Sequence, residues 1–161
     1  MVAVHTYELA LTWTGNQGTG TSAYRQYSRA HEVTASGRPP LLGSADPAFR
    51  GEADRWNPEQ LLVAALSACH LMSYLHVCVE AGVVVTSYTD APSGVMTQTP
   101  GGGGHFTEVT LRPRVTVASA DQIERANALH GLAGERCFIA SSVNFPVHHE
   151  PLALCEDLPR L

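Results

Sequence analysis

The side chains with the widest covalent chemistry in this chain are its four cysteines, Cys69, Cys78, Cys137 and Cys155. A cysteine acts as nucleophile, redox centre or metal ligand through its thiolate. No Cys-x-x-Cys pair occurs, so neither a zinc ribbon nor a thioredoxin-type motif is available. On one helix, Cys69 and Cys78 stand half a turn apart and roughly 13 Å along the axis, too far to bond. Taken singly, each cysteine reads first as a small buried hydrophobe. The cations are equally selective. All 10 basic residues are Arg, which excludes a Schiff-base lysine, pyridoxal-phosphate chemistry and a P-loop together.

The histidines give weaker leads. His70 and His76 are about 120° apart around a helix and do not make an i, i+4 metal pair. His148 and His149 are adjacent in a segment of strand character, so they point to opposite faces. No spacing calls for a metal site built on Cys69 and His70, or for a cysteine hydrolase with a histidine base. His70, beside Cys69 but not facing it, reads as a buried hydrogen-bonded side chain. Tyr74, Trp13 and Trp56 read as core or interface.

The elements that position these residues follow from periodicity. Residues 4–14 alternate, with Tyr7, Leu9, Leu11 and Trp13 on one face, and predict a half-buried strand. A second strand is expected from Ala23 to Val33, then a loop from Gly37 to Ala53 whose length marks it as functional or mobile. Asn57 as cap, Pro58 in the first turn, Glu59 at the positive end and Gly82 as terminator define a long helix. Its middle is apolar on nearly every side, so it should run through the core. Strand character returns at Val83–Tyr88 and over 105–118, where Val109, Leu111, Val115 and Val117 share a face; Pro113 suggests an edge position. Ser119 with Gln122 predicts a capping box opening a second helix that fades near Gly131 or Gly134. A helical turn over Glu135–Ser142 and a strand over Val143–Glu150 complete an α+β chain, a single domain over residues 1–161.

Composition narrows the partners. Charged residues are 16% of the 161, against about 25% in a typical soluble domain, which suggests surface covered by a second copy. A net charge of −5 without a basic stripe argues against nucleic acid. Gln60 to Val79 is uncharged and about long enough to span a bilayer, but its Ser, His and Tyr residues favour a buried helix and no membrane. Residues Met1 to Tyr7 lack the pattern of a signal peptide, so a cytoplasmic protein with reduced cysteines is expected.

The segment Arg55-Trp56-Asn57-Pro58-Glu59-Gln60-Leu61-Leu62, followed by Ala64-Ala65-Leu66-Ser67-Ala68-Cys69, resembles the central helix of the OsmC/Ohr family of osmotically inducible and organic-hydroperoxide-resistance proteins. The family pattern is an Asn-Pro-Glu start with a reactive cysteine ten residues after the Glu, the spacing of Glu59 and Cys69. Cys137 occupies the place of the family's second cysteine, although the chain reads Cys-Phe-Ile-Ala-Ser where Cys-Pro-x-Ser is common. The family arginine falls best on Arg50, with Arg29 and Arg55 as rivals.

The resemblance implies a thiol peroxidase that needs no cofactor. Cys69 would attack an organic hydroperoxide, Cys137 would capture the sulfenic acid as a disulfide, and an external dithiol, lipoyl-type in some relatives, would reduce it. Burial in an apolar helix raises a thiol pKa, so a desolvated guanidinium must offset it, and Glu59 is suited to hold that arginine bidentately. Glu59 and Cys69 lie about 15 Å apart along one helix and some 80° apart around it. For both to share a site, the helix must break or the glutamate must come from a second subunit. The second option agrees with the intertwined homodimer that the resemblance implies, with sites at the interface. A contrasting possibility is a non-enzymatic dimer that binds a small apolar ligand under the loop over 37–53. The roles of Cys78, Cys155, His148 and His149 stay open.

Overall fold

The computed structural model describes residues 3–155, so Met1 and Val2 of the N-terminal reading fall outside it. The chain forms two compact units, one up to Leu62 and one from Val63 onward.

The first unit is built on a three-stranded antiparallel sheet of β1 (Ala10–Trp13), β2 (His31–Thr34) and β3 (Leu41–Gly43), in that order. β1 is shorter than the alternation predicts and its side chains are exposed, as are Tyr7 and Leu9 ahead of it, at 89% and 67%. Alternation records which side chains share a face, but pairing fixes where a strand ends, and only residues 10–13 have partners on β2. The predicted second strand is likewise confined to 31–34, because the stretch over 21–27 is mostly turn. The expected long loop is not structureless. It contains β3 and a short 3-10 helix at Pro47–Phe49.

Helix α1 (Pro58–Ala81) starts and stops where the sequence places it. Asn57 accepts a bond from the Gln60 amide at 2.8 Å, and Gln60 accepts one from the Asn57 amide at 3.4 Å. Gly82 ends the helix with φ +70°, a conformation costly for other residues. Only one stripe of α1 is buried: Leu66, His70, Tyr74, Val77 and Cys78. Met72 and Val79 are 63% and 78% exposed, so the helix is not enclosed on every side as expected. It is long and apolar enough to cross a membrane, but its buried stripe belongs to the core of the second unit.

The second unit holds two three-stranded sheets. One has the order β4 (Val85–Thr89), β7 (Arg114–Val117), β9 (Leu152–Cys155); the other has β5 (Ser93–Gln98), β6 (Gly104–Leu111), β8 (Val147–His149). The run over 105–118 is therefore two strands in two sheets, not one. The chain leaves the ladder at Arg112-Pro113, where proline has no amide to donate. Pro113 thus marks a break between two central strands and not an edge position. Val109, Leu111, Val115 and Val117 still all point inward, each at most 1% exposed. The first two pack with Leu66 and the last two with Tyr74, Val77 and Cys78, giving two apolar clusters.

Helix α2 (Ile123–Glu135) passes through both predicted stop points, Gly131 and Gly134. No capping box forms at Ser119. The Gln122 amide instead donates to the Gly82 carbonyl at 3.2 Å and its oxygen accepts from the Val84 amide, tying α2 to the end of α1.

Candidate active site

Cys69 and Cys137 meet within the second unit. On α1, Cys69, Ser73, His76 and Glu80 form one stripe by their 4-3-4 spacing. That stripe faces the segment after α2. Ser73 donates to the Arg136 carbonyl at 3.4 Å, and the Arg136 guanidinium binds Glu80 at 2.5 Å. Cys137 follows directly, 1% exposed, and its sulfur accepts a bond from the Ala140 amide at 3.4 Å. Burial and interaction with the Cys69 sulfur raise the Cys137 pKa, so its proton stays in place. Both cysteines are free thiols, Cys69 partly accessible.

The neighbouring stripe of α1 carries a buried aromatic stack. His70 Nε2 lies 2.9 Å from His130 Nδ1 of α2. The His149 ring stacks on His70 at 4.3 Å and Tyr74 stacks on His130 at 3.9 Å. The Tyr74 hydroxyl donates to the Ala126 carbonyl at 3.1 Å. Desolvation is the main cause that depresses these histidines, His70 to about 4 and His130 to about 3, with His149 also lowered. They are neutral near pH 7. His70 Nδ1, His130 Nε2 and His149 Nε2 are buried without a partner among the described residues. His148 and His149 do take opposite faces, His148 pointing outward at 3.8 Å from Glu108. Among the described residues, no three His, Cys, Asp or Glu side chains are placed to hold a metal ion.

The other expected residues lie in the first unit. Arg50 ends the 3-10 helix in the left-handed region, φ +68°, unusual for a residue with a side chain. Its amide donates to the Pro47 carbonyl at 3.0 Å, and the Gly51 amide donates to Asp46 at 3.0 Å. A Cβ on Gly51 would sit 1.6 Å from the Ala45 carbonyl oxygen, so only glycine closes this turn. Glu52 then accepts bonds from the Ser28 and Ser44 hydroxyls, which hold its carboxyl below the usual range. The loop is rigidly tied and presents Arg50 outward.

The rival Arg29 is occupied locally. Its guanidinium lies 4.3 and 4.2 Å from the Tyr24 and Tyr27 ring centroids and donates to both of their carbonyls. Arg55 and Glu59 each keep one buried polar atom, Nη1 and Oε2, without a partner among the described residues. Glu59 forms no ion pair with Arg50 among those residues. Of the expected site residues, the structure thus brings Cys69 and Cys137 together. Sequence reasoning saw His70, His130 and His149 only one by one. The seven-residue step from His130 to Cys137 was the one available sign that the stack and the thiols share a neighbourhood.

Two neighbouring thiols where a core helix meets the end of a second helix define a dithiol protein on an α+β scaffold. Residues 51–151 match the family model described as OsmC-like protein. An OsmC-like protein of unknown function from Vibrio cholerae is 31% identical, with a TM-score of 0.83, over 92% of this chain and 100% of that one. The chain belongs to the OsmC/Ohr family. The fold is shared with two proteins described as organic hydroperoxide resistance proteins. The one from Elizabethkingia anophelis is 18% identical with a TM-score of 0.64, over 94% of this chain and 99% of that one. The one from Legionella pneumophila is 21% identical with a TM-score of 0.67, over 94% and 98%. Among curated proteins none matches.

Proposed function

We propose that the protein is a cofactor-free thiol peroxidase that reduces organic hydroperoxides in oxidative-stress defence, with Cys69 as nucleophile and Cys137 as resolving residue. The Cys69 thiolate attacks one peroxide oxygen; the O–O bond breaks, the alcohol leaves with a proton, and Cys69 becomes a sulfenic acid. Cys137 then attacks the Cys69 sulfur, water departs, and a disulfide remains. An external dithiol, of lipoyl type in some relatives, restores both thiols by exchange. The carrying observation is that the structure brings the two cysteines together, Cys137 sealed and holding its proton and Cys69 partly accessible.

Arg50 is the residue proposed to stabilise the Cys69 thiolate, and the tied, left-handed turn that presents it supports that role. Glu59, with an unpartnered buried oxygen, is proposed to hold that arginine across a homodimer. α1 is unbroken, so Glu59 and Cys69 of one chain stay at opposite ends of three helical turns. The exposed apolar residues Tyr7, Leu9, Leu11, Met72 and Val79 supply surface for such a dimer. A cytoplasmic location suits free thiols.

The alternative, a dimer that only binds an apolar ligand, draws on a hollow of about 510 Å³ lined by residues that include Tyr7, Leu9, Val33 and Leu41. Titration of the reduced protein with an alkyl hydroperoxide separates the two. Loss of two thiols per chain with a Cys69–Cys137 peptide crosslink is expected; unchanged thiols at excess peroxide would reject the peroxidase. A fully active monomer in sedimentation would reject the shared site.

A further inference from the structure

We propose that the buried His70–His130 hydrogen bond, backed by the His149 ring, sets how closely Cys69 approaches Cys137, which makes His70 and His130 positioning residues of the dithiol. The inference rests on the reading of Cys69 and Cys137 as a redox pair. His70 follows Cys69 on α1, and His130 lies on α2 seven residues before Cys137, so the bond joins the two segments that carry the thiols. Both imidazoles are essentially sealed, at 0% and 2% exposure. Tyr74 covers His130, and its hydroxyl repeats the link one turn further along both helices, at Ala126. His149 reaches His70 from β8, where Gly134 leaves room: a Cβ there would approach the His149 ring to 2.9 Å.

An apolar pair would fill this space without stranding polar atoms, yet His70 Nδ1 and His130 Nε2 are left unpartnered. What the pair adds over apolar packing is a fixed separation and direction, 2.9 Å between two named nitrogens. A disulfide tolerates little error in the approach of its two sulfurs, so a directional pin beside it controls how readily it forms.

The test is the disulfide equilibrium in glutathione buffers, without peroxide. Two protein thiols pass two electrons and two protons to one oxidised glutathione, leaving one protein disulfide and two reduced glutathiones. His130→Phe keeps a ring under Tyr74 but removes the bond, and the equilibrium constant for the Cys69–Cys137 disulfide is expected to fall about tenfold. His130→Asn, which returns a polar atom near the position of Nδ1, is expected to restore it. A folded His130→Phe chain with the wild-type constant would overturn the proposal. The unmodified chain gives a second readout that does not depend on a variant folding. Closing the disulfide with diamide must shift the imidazole nitrogen resonances of His70 and His130, because coupling between two sites is reciprocal. Unchanged resonances would overturn it as well. A chain that forms the disulfide yet ignores hydroperoxide would reject the peroxidase reading and leave the pin intact.

Discussion

Cys69 and Cys78 stand nine residues apart on one helix, and the two regions around them treat the same functional group in opposite ways. Cys78 is 1% exposed among Val77, Val83, Val115 and Val117. Burial raises its pKa, and the Tyr74 hydroxyl offsets only part of that. Cys69 is partly accessible, lies on a stripe of polar residues and neighbours a second thiol that keeps its own proton. On the proposed function, helix position alone does not decide reactivity. The face does, because each face of α1 meets a different environment.

The largest effect that tests this contrast is Cys69→Ser. Hydroperoxide consumption at saturating dithiol is expected to fall by about a thousandfold or more, since the hydroxyl is a far poorer nucleophile. Retained turnover would move the chemistry away from this face. Cys137→Ser should act at the next step and leave the first intact. One equivalent of peroxide still oxidises Cys69, but the sulfenic acid persists and excess peroxide carries it to the sulfinic acid. Intact-mass spectra are expected to show added oxygen on the variant where the wild-type chain shows loss of two hydrogens.

An intermediate effect concerns stability on the other face. In the folded chain His70 and His130 stay neutral well below the usual histidine pKa of 6.5, and burial lowers His149 in the same direction. The unfolded chain takes up protons as the pH falls through 6.5, whereas in the folded chain His70 does not until about 4 and His130 until about 3. Stability is thus complete above pH 7 and declines from 6.5 toward 4. A fall of a few kcal/mol between pH 7 and pH 5 is expected in urea unfolding. His130→Phe should flatten the decline. The same slope in both proteins would place the proton uptake elsewhere.

The limits of α1 were legible because they depend on local backbone chemistry: Asn57 caps, Pro58 fits the first turn, and Gly82 tolerates a positive φ. The inward face of Val109, Leu111, Val115 and Val117 was legible for a similar reason, since a two-residue period survives any choice of partner strand. The division of that run between two sheets was not, because alternation continues across Arg112-Pro113 and only the pairing changes. The strand at Ser93–Gln98 gave no signal, as all six residues are exposed. Gln122 was misplaced in a capping box because its true partners, Gly82 and Val84, are about forty residues away in sequence. The two thiols were joined beforehand by the resemblance to a family, not by spacing. The histidine stack combines residues 70, 130 and 149, and nothing local in the sequence connects them.

The smallest effect returns to Cys78. Cys78→Ala removes one buried sulfur from the core around Tyr74 and Val115, leaving a small cavity. The expected cost is about 1 kcal/mol in urea unfolding, at the low end of core truncations because only one heavy atom is lost. Peroxide consumption should stay at the wild-type level, since this thiol is sealed and faces away from Cys69 by half a helical turn. The two readouts must separate: Cys69→Ser loses activity with stability retained, and Cys78→Ala loses a little stability with activity retained. A Cys78→Ala chain that unfolds as the wild type does but consumes peroxide slowly would reverse the roles assigned to the two faces of α1.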